Sequence, residues 1–167
     1  MTRILIPTDL SAQSLKIAEE AFKMYPDDII DVILVYPYRL PVWNSDLYWF
    51  SPAKIIKKHE DEQFAHTKDE LVRKYFKNIS SIYVELFTGV NSLAFENFRV
   101  HHQIQTAVLP QNGFLDFSHD DTFDPTNLIV KKVPIINRVQ IENVKHSEDY
   151  QGLKPGLFSL IQKVFRS

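Results

Sequence analysis

Short apolar runs alternate along the chain with segments of helical period. Ile4 to Ile6 is a strand candidate that meets Pro7 and then the polar turn Thr8-Asp9-Leu10-Ser11. From Gln13 to Tyr25, Leu15, Ala18, Phe22 and Tyr25 recur at spacings of three and four, with Ala21 beside them, which predicts an amphipathic helix. Pro26-Asp27-Asp28 ends it. Ile29 to Tyr36 is apolar except for Asp31 and rich in β-branched residues, as a strand buried on both faces is. Residues 37–52 are irregular, with prolines at 37, 41 and 52. Ala53 to Lys77 is charged with apolar interruptions and reads as one long surface helix. Ile82 to Phe87 is a third strand, and Asn91 or Ser92 caps a helix carrying Leu93, Ala94, Phe95 and Phe98. Ile104 to Leu109 is a fourth strand, stopped by Pro110.

This β-α-β-α-β-α-β alternation predicts a parallel sheet with helices on both faces and right-handed crossovers. Residues 110–128 then break the pattern, being acidic, rich in turn residues and without a helical period. Leu128-Ile129-Val130 is apolar again, and Val133 to Val139 is a fifth strand candidate. Ile141 to Val144 either extends that strand or pairs separately, and Pro155 to Phe165 reads as a short closing helix. Residues 1–139 are expected to form the α/β domain, and 140–167 a C-terminal extension packed on it.

Composition narrows the chemistry. The 167 residues are 44% hydrophobic and 24% charged, ordinary for one globular domain. A formal charge of −2 gives no broad reason to bind nucleic acid or an anionic membrane. The absence of cysteine excludes disulfides, thiol nucleophiles and thiolate metal sites. With no apolar stretch long enough to cross a membrane and no signal-peptide pattern, a cytoplasmic protein is expected.

The run Ile4-Leu5-Ile6-Pro7-Thr8-Asp9-Leu10-Ser11 resembles the opening strand and loop of the universal stress protein (UspA-like) family. The strand ending at Val35-Tyr36, the insertion that follows it, the strand Ile104 to Pro110 and the segment Val133-Pro134-Ile135-Ile136 are similar to that family's later elements. The resemblance covers roughly residues 1–139. It implies a Rossmann-like, adenine nucleotide alpha hydrolase-like fold: an open five-stranded parallel sheet of order 3-2-1-4-5. It also implies a homodimer, often built by fifth strands, which makes Val133, Ile135, Ile136 and Val139 candidate dimer residues.

Some members of the family bind ATP. Asp9 matches the aspartate that holds the nucleoside, with Pro7 and Thr8 beside it, and either Val35 or Tyr36 matches the position at the end of the second strand. The family's phosphate segment, Gly-x2-Gly-x9-Gly-Ser/Thr, has no counterpart. After Pro110 the chain reads Gln111-Asn112-Gly113-Phe114-Leu115-Asp116, and Gly113 is the only glycine between residues 90 and 151. Phosphate loops need glycines so that backbone N–H groups can converge on the anion. Residues 110–127 instead hold Asp116, Asp120, Asp121 and Asp124, with no lysine or arginine. At an effective dielectric near 20, each close like-charge pair costs about 4 kcal/mol. Micromolar affinity amounts to about 8 kcal/mol, so two such contacts would cancel it. No ATP, and no other cofactor, is expected.

Other residues admit two readings. Asp9 either orients a ligand, or caps the first helix or satisfies turn N–H groups. Asp116, His119, Asp120, Asp121 and Asp124 form either a cation site or a solvated acidic loop; the spacing fits no calcium loop, and no metal is expected. His101-His102 suit a helix C-terminus, where imidazolium complements the dipole. On one continuous helix His59, Glu62 and His66 would share a face, though zinc motifs space their histidines by four. The segment from Tyr36 to Phe50 carries Trp43, Tyr48, Trp49 and Phe50, which form either a partner-binding surface or a loop with its own small core. No serine sits in a nucleophile-elbow setting. The expected function is non-enzymatic: a universal-stress-protein-like domain acting in stress response or signalling through a protein partner or small ligand. The alternative is a nucleotide-binding signalling protein whose rearranged phosphate site draws on Lys131, Lys132 and Arg138.

Overall fold

The computed structural model describes residues 2–40 and 50–142. Strand β1 spans Thr2–Pro7, followed by a 3-10 turn at Ala12–Ser14 and helix α1 at Leu15–Met24. Strand β2 is Ile30–Pro37, and two helices follow, α2 at Pro52–His59 and α3 at Phe64–Lys74. Strand β3 (Ile79–Phe87), helix α4 (Ser92–His101), strand β4 (Thr106–Pro110), helix α5 (Thr126–Lys132) and strand β5 (Ile135–Val139) complete the order. All pairings are parallel, and the sheet runs β3-β2-β1-β4-β5.

Side chains alternate across a strand, so each strand feeds both faces of the sheet. Ile4, Ile6, Val32, Leu34 and Val108 meet Leu15, Ala18 and Phe22 of α1 and Phe64 and Leu71 of α3 in one core. Leu5, Ile33, Val35, Ala107 and Leu109 meet Phe95 of α4 and Ile129 of α5 in the other. Every residue of β2 is buried, as its unbroken apolar run requires. Its one charge is matched across the sheet. Asp31 pairs in register with Arg3 on β1 and Ser81 on β3. Its Oδ2 accepts from Arg3 Nε at 2.7 Å, and its Oδ1 accepts from the Ser81 hydroxyl. A carboxylate can stay buried when both oxygens are engaged in this way.

The single helix expected over Ala53–Lys77 is two helices broken at 60–63. Asp61 is the cause, because its backbone N–H donates to Leu10 O at 3.1 Å and its Oδ2 accepts from Ala12 N at 2.6 Å. Its Oδ1 takes the Gln63 N–H, which restarts the chain as α3. Strand β3 begins at Ile79 rather than Ile82, through a register shift beside Ile30 and Asp31. The segment read as irregular before β5 ends in helix α5. At seven residues that helix is too short to display a period. Ile141 is buried and clamped by the Gln111 amide, which donates to Ile141 O at 2.7 Å and accepts from its N–H at 2.9 Å. The closing helix expected at 155–165 lies outside the described residues. No helix among the described residues is long and apolar enough to cross a membrane.

Candidate functional site

The crevice expected to bind ligands lies at the carboxyl ends of β1 and β4, where the strand order reverses, with the end of β2 beside it. Thr8 N–H donates to Val35 O at 3.0 Å, carrying the pairing one residue past Pro7. The Thr8 side chain is buried against Ser14 Oγ at 2.7 Å and accepts from Leu10 N. Leu10 is fully buried with φ of 63°, a left-handed conformation that leucine adopts only when its surroundings hold it.

Asp9 satisfies the turn rather than capping the helix, and does one thing more. Its Oδ1 accepts from Ser11 N–H at 3.0 Å and Ser11 Oγ at 2.6 Å, and Ser11 in turn caps the 3-10 turn. Its Oδ2 accepts from the backbone N–H of Asp116 at 2.9 Å. Both carboxylate oxygens are therefore held by this chain's own donors, and the second is held by the acidic loop.

That loop is fastened to the crevice at further points. Arg39 N–H donates to Asp121 O at 2.7 Å, and Thr122, itself buried, donates its hydroxyl to Phe117 O and His119 O. Phe114 and Leu115 pack against the first core. The carboxyl of Asp116 is held below the usual range by the Ser118 hydroxyl and backbone N–H. The His119 ring lies edge-on to His59, with centroids 5.0 Å apart. His59 also sits against Tyr36 at 5.8 Å and Tyr38 at 5.9 Å, and Phe50 lies 6.4 Å from Tyr38.

These contacts set the local titration. Burial, helped by Asp121, Tyr38 and Asp9, pushes the Tyr36 hydroxyl up to about 12. Burial also lowers His59, reinforced by His119 and Lys58 and opposed by Asp121. The buried His59 Nε2 has no hydrogen-bond partner among the described residues.

The structure thus brings Thr8, Asp9, Tyr36, Asp116, His119 and Asp121 together, and adds His59. Between the two second-strand candidates, Tyr36 faces the Asp9 side, and Val35 belongs to the opposite core. Pro7 ends β1, buried. Gly113 (φ 77°) lines a separate cavity of about 80 Å³ with Pro110, Asn112, Phe117 and Asp124, far smaller than ordinary ligand pockets. The break at 60–63 puts His59 and His66 on different helices, and His66 faces Glu70 at 3.7 Å instead. Among the described residues no group of three or more metal-ligating side chains could hold a metal ion. Lys131 and Lys132 occupy the last turn of α5, which leads back to the amino ends of the strands, away from Asp9. Arg138 pairs in register with Leu109 near the carboxyl end of β4.

Of the dimer candidates, Val133 and Val139 are buried in the monomer's cores, Ile136 packs partly on the second core, and Ile135 is 52% exposed on the edge strand. Phe50 is a partly buried neighbour of the first core. Trp43, Tyr48 and Trp49 lie outside the described residues. His59 enters the crevice as a wall of the site and not as the partner of His66; its ring sits against the distant residues Tyr36, Tyr38 and His119.

No family model matches the chain, and no curated protein matches it. Solved structures do. Universal stress protein UspA from Lactobacillus plantarum superposes with a TM-score of 0.50 at 18% identity, covering 84% of this chain and 97% of that one. The hypothetical protein MJ0577, whose structure was used to assign its biochemical function, gives a TM-score of 0.53 at 12% identity, covering 85% and 97%. At these identities the likeness is one of architecture: the chain has the five-stranded parallel fold of the universal stress proteins.

Proposed function

We propose that this chain is a divergent, non-enzymatic universal-stress-protein-like domain that acts in the cytoplasm, in stress response or signalling, through a protein partner or small ligand. It does not hold ATP in the family's manner. The observation that carries this reading is the Asp116 N–H bound to Asp9 Oδ2, which puts an acidic loop where a phosphate loop would be needed. A triphosphate would have to displace that bond and meet the loop's four aspartates. Among the described residues the Asp9 carboxylate is occupied on both oxygens by turn and loop donors, which supports a binding role over a catalytic one.

The edge position of β5 and the exposed Ile135 support pairing of two copies through their fifth strands. A sedimentation coefficient of a monomer at tens of micromolar would remove that part. The rearranged-nucleotide reading keeps only Arg138 near the crevice end. Melting with and without Mg-ATP decides between the readings. A micromolar site at about 1 mM nucleotide would add about 4 kcal/mol. That is a rise of roughly 10 °C for a domain of this size. We expect a shift below about 1 °C, and no nucleotide released on denaturing the purified protein. A shift of several degrees overturns the proposal.

A further inference from the structure

The opposite end of the sheet, at the amino ends of the strands, holds a cavity of about 420 Å³ lined by Thr2, Arg3, Asp31, Gln103 and Gln105. That volume is in the range of small-molecule sites. Three features there have no use in the crevice at Asp9.

Arg3 is fixed from two sides. Its Nε donates to Asp31 and its Nη1 donates to His102 O at 2.6 Å, at the carboxyl end of α4. Among the described residues its Nη2 has no protein partner, so that nitrogen is left for a ligand. Asp31, in turn, is satisfied by Arg3 and Ser81 and does not call for a cation. The valency left in the cavity is the donor of that Nη2, beside two carboxamides that can each donate and accept.

Gln103 is the second feature. Helix α4 ends in a Schellman motif, with Gln103 N–H on Val100 O and Ile104 N–H on Arg99 O. The residue in the left-handed position of that motif is usually glycine or asparagine. Here it is Gln103, at φ 54°. The chain places a residue with a long carboxamide where the backbone would favour none, and that residue lines the cavity.

The third is the surrounding charge. Tyr83 is raised by burial, with Asp31 and Glu85 adding to the shift and Arg3 opposing it. His102 is lowered by burial, with His101 and Arg3 adding and Glu85 opposing. Neither ring lines the cavity, whose own charges are Arg3 and Asp31. Asp31 offsets Arg3, so the local field does not favour a multiply charged anion.

We propose that this cavity binds a small monocarboxylate, one oxygen on Arg3 Nη2 and its flank on the amides of Gln103 and Gln105. The test is a titration of the whole chain with acetate, succinate and inorganic phosphate, followed by the side-chain resonances of Arg3 Nε–H and the two glutamine amides. Acetate is expected to shift all three saturably at millimolar concentration, more tightly than phosphate or succinate. Arg3→Lys keeps a charge for Asp31 but loses the fork, and should weaken binding about tenfold. Gln103→Gly should weaken binding roughly threefold while raising the melting temperature by about 2 °C, because it relieves the left-handed strain. No saturable shift, or an unchanged affinity in Arg3→Lys, overturns the site. Tighter binding of phosphate overturns the ligand class. A stabilised Gln103→Gly with full affinity makes Gln103 only a poor helix cap and removes it from the site.

Discussion

Asp9→Asn separates the two roles of the carboxylate. Asparagine keeps one side-chain oxygen for Ser11 N–H and Oγ, now bonded at 3.0 and 2.6 Å, so the turn into the first helix survives. Its amide nitrogen cannot accept from Asp116 N–H, so the 2.9 Å latch to the acidic loop is lost. Hydrogen bonds to charged groups contribute about 1.5 to 3 kcal/mol. The Asp116 N–H is exposed, so water replaces much of that, and the expected loss is about 1 kcal/mol. Asp9→Ala also removes both turn bonds to Ser11, worth about 1 kcal/mol together. The expected total is therefore about 2 kcal/mol, a large share of the 5 to 15 typical of a domain. Urea denaturation measures both losses, and amide exchange locates the first. The Asp116 amide should exchange roughly fivefold faster in Asp9→Asn, the counterpart of about 1 kcal/mol. Unchanged exchange at Asp116 in that variant, or a cost below about 0.5 kcal/mol for Asp9→Ala, would refute the latch.

Gly89→Ala should cost about 1 to 3 kcal/mol, since a Cβ there would meet Ala94 Cβ at 2.4 Å and the Phe87 ring at 3.0 Å. Gly113→Ala, with open space but φ of 77°, should cost about 1 kcal/mol, so thermal melts should rank the two in that order. Acid should weaken the fold early. His59 and His102 both bind protons less readily folded than unfolded, so their contribution is complete above about pH 6.5 and lost as pH falls below it. Urea midpoints should fall between about pH 7 and 5.5, and a flat profile would contradict the burial of these rings.

The central strands β1, β2 and β4 were legible because they are nearly continuous apolar runs closed by Pro7, Pro37 and Pro110, a pattern that depends only on neighbouring residues. Asp9 was legible only as a choice between ligand and cap or turn, because its second partner, Asp116, is 107 residues away. Choosing Tyr36 over Val35 required knowing which face of β2 looks toward Asp9. His59 read as half of a metal pair because the sequence shows a spacing of seven and not the break at Asp61. Helix α5 escaped for lack of length. What stayed hidden was in each case a long-range contact or an element shorter than its own period.

The bonds that Asp61 sends to Leu10 and Ala12 span 51 and 49 residues. The turn after β1 is four residues of local sequence, yet its left-handed leucine is held by a residue from the insertion between β2 and β3. In folding terms it is a high-contact-order structure in the place of a local one, and loop closure must precede it. Insertions in surface loops usually tolerate trimming. This one does not share that freedom: shortening it past Asp61 would undo the geometry of the turn that starts the fold's first helix.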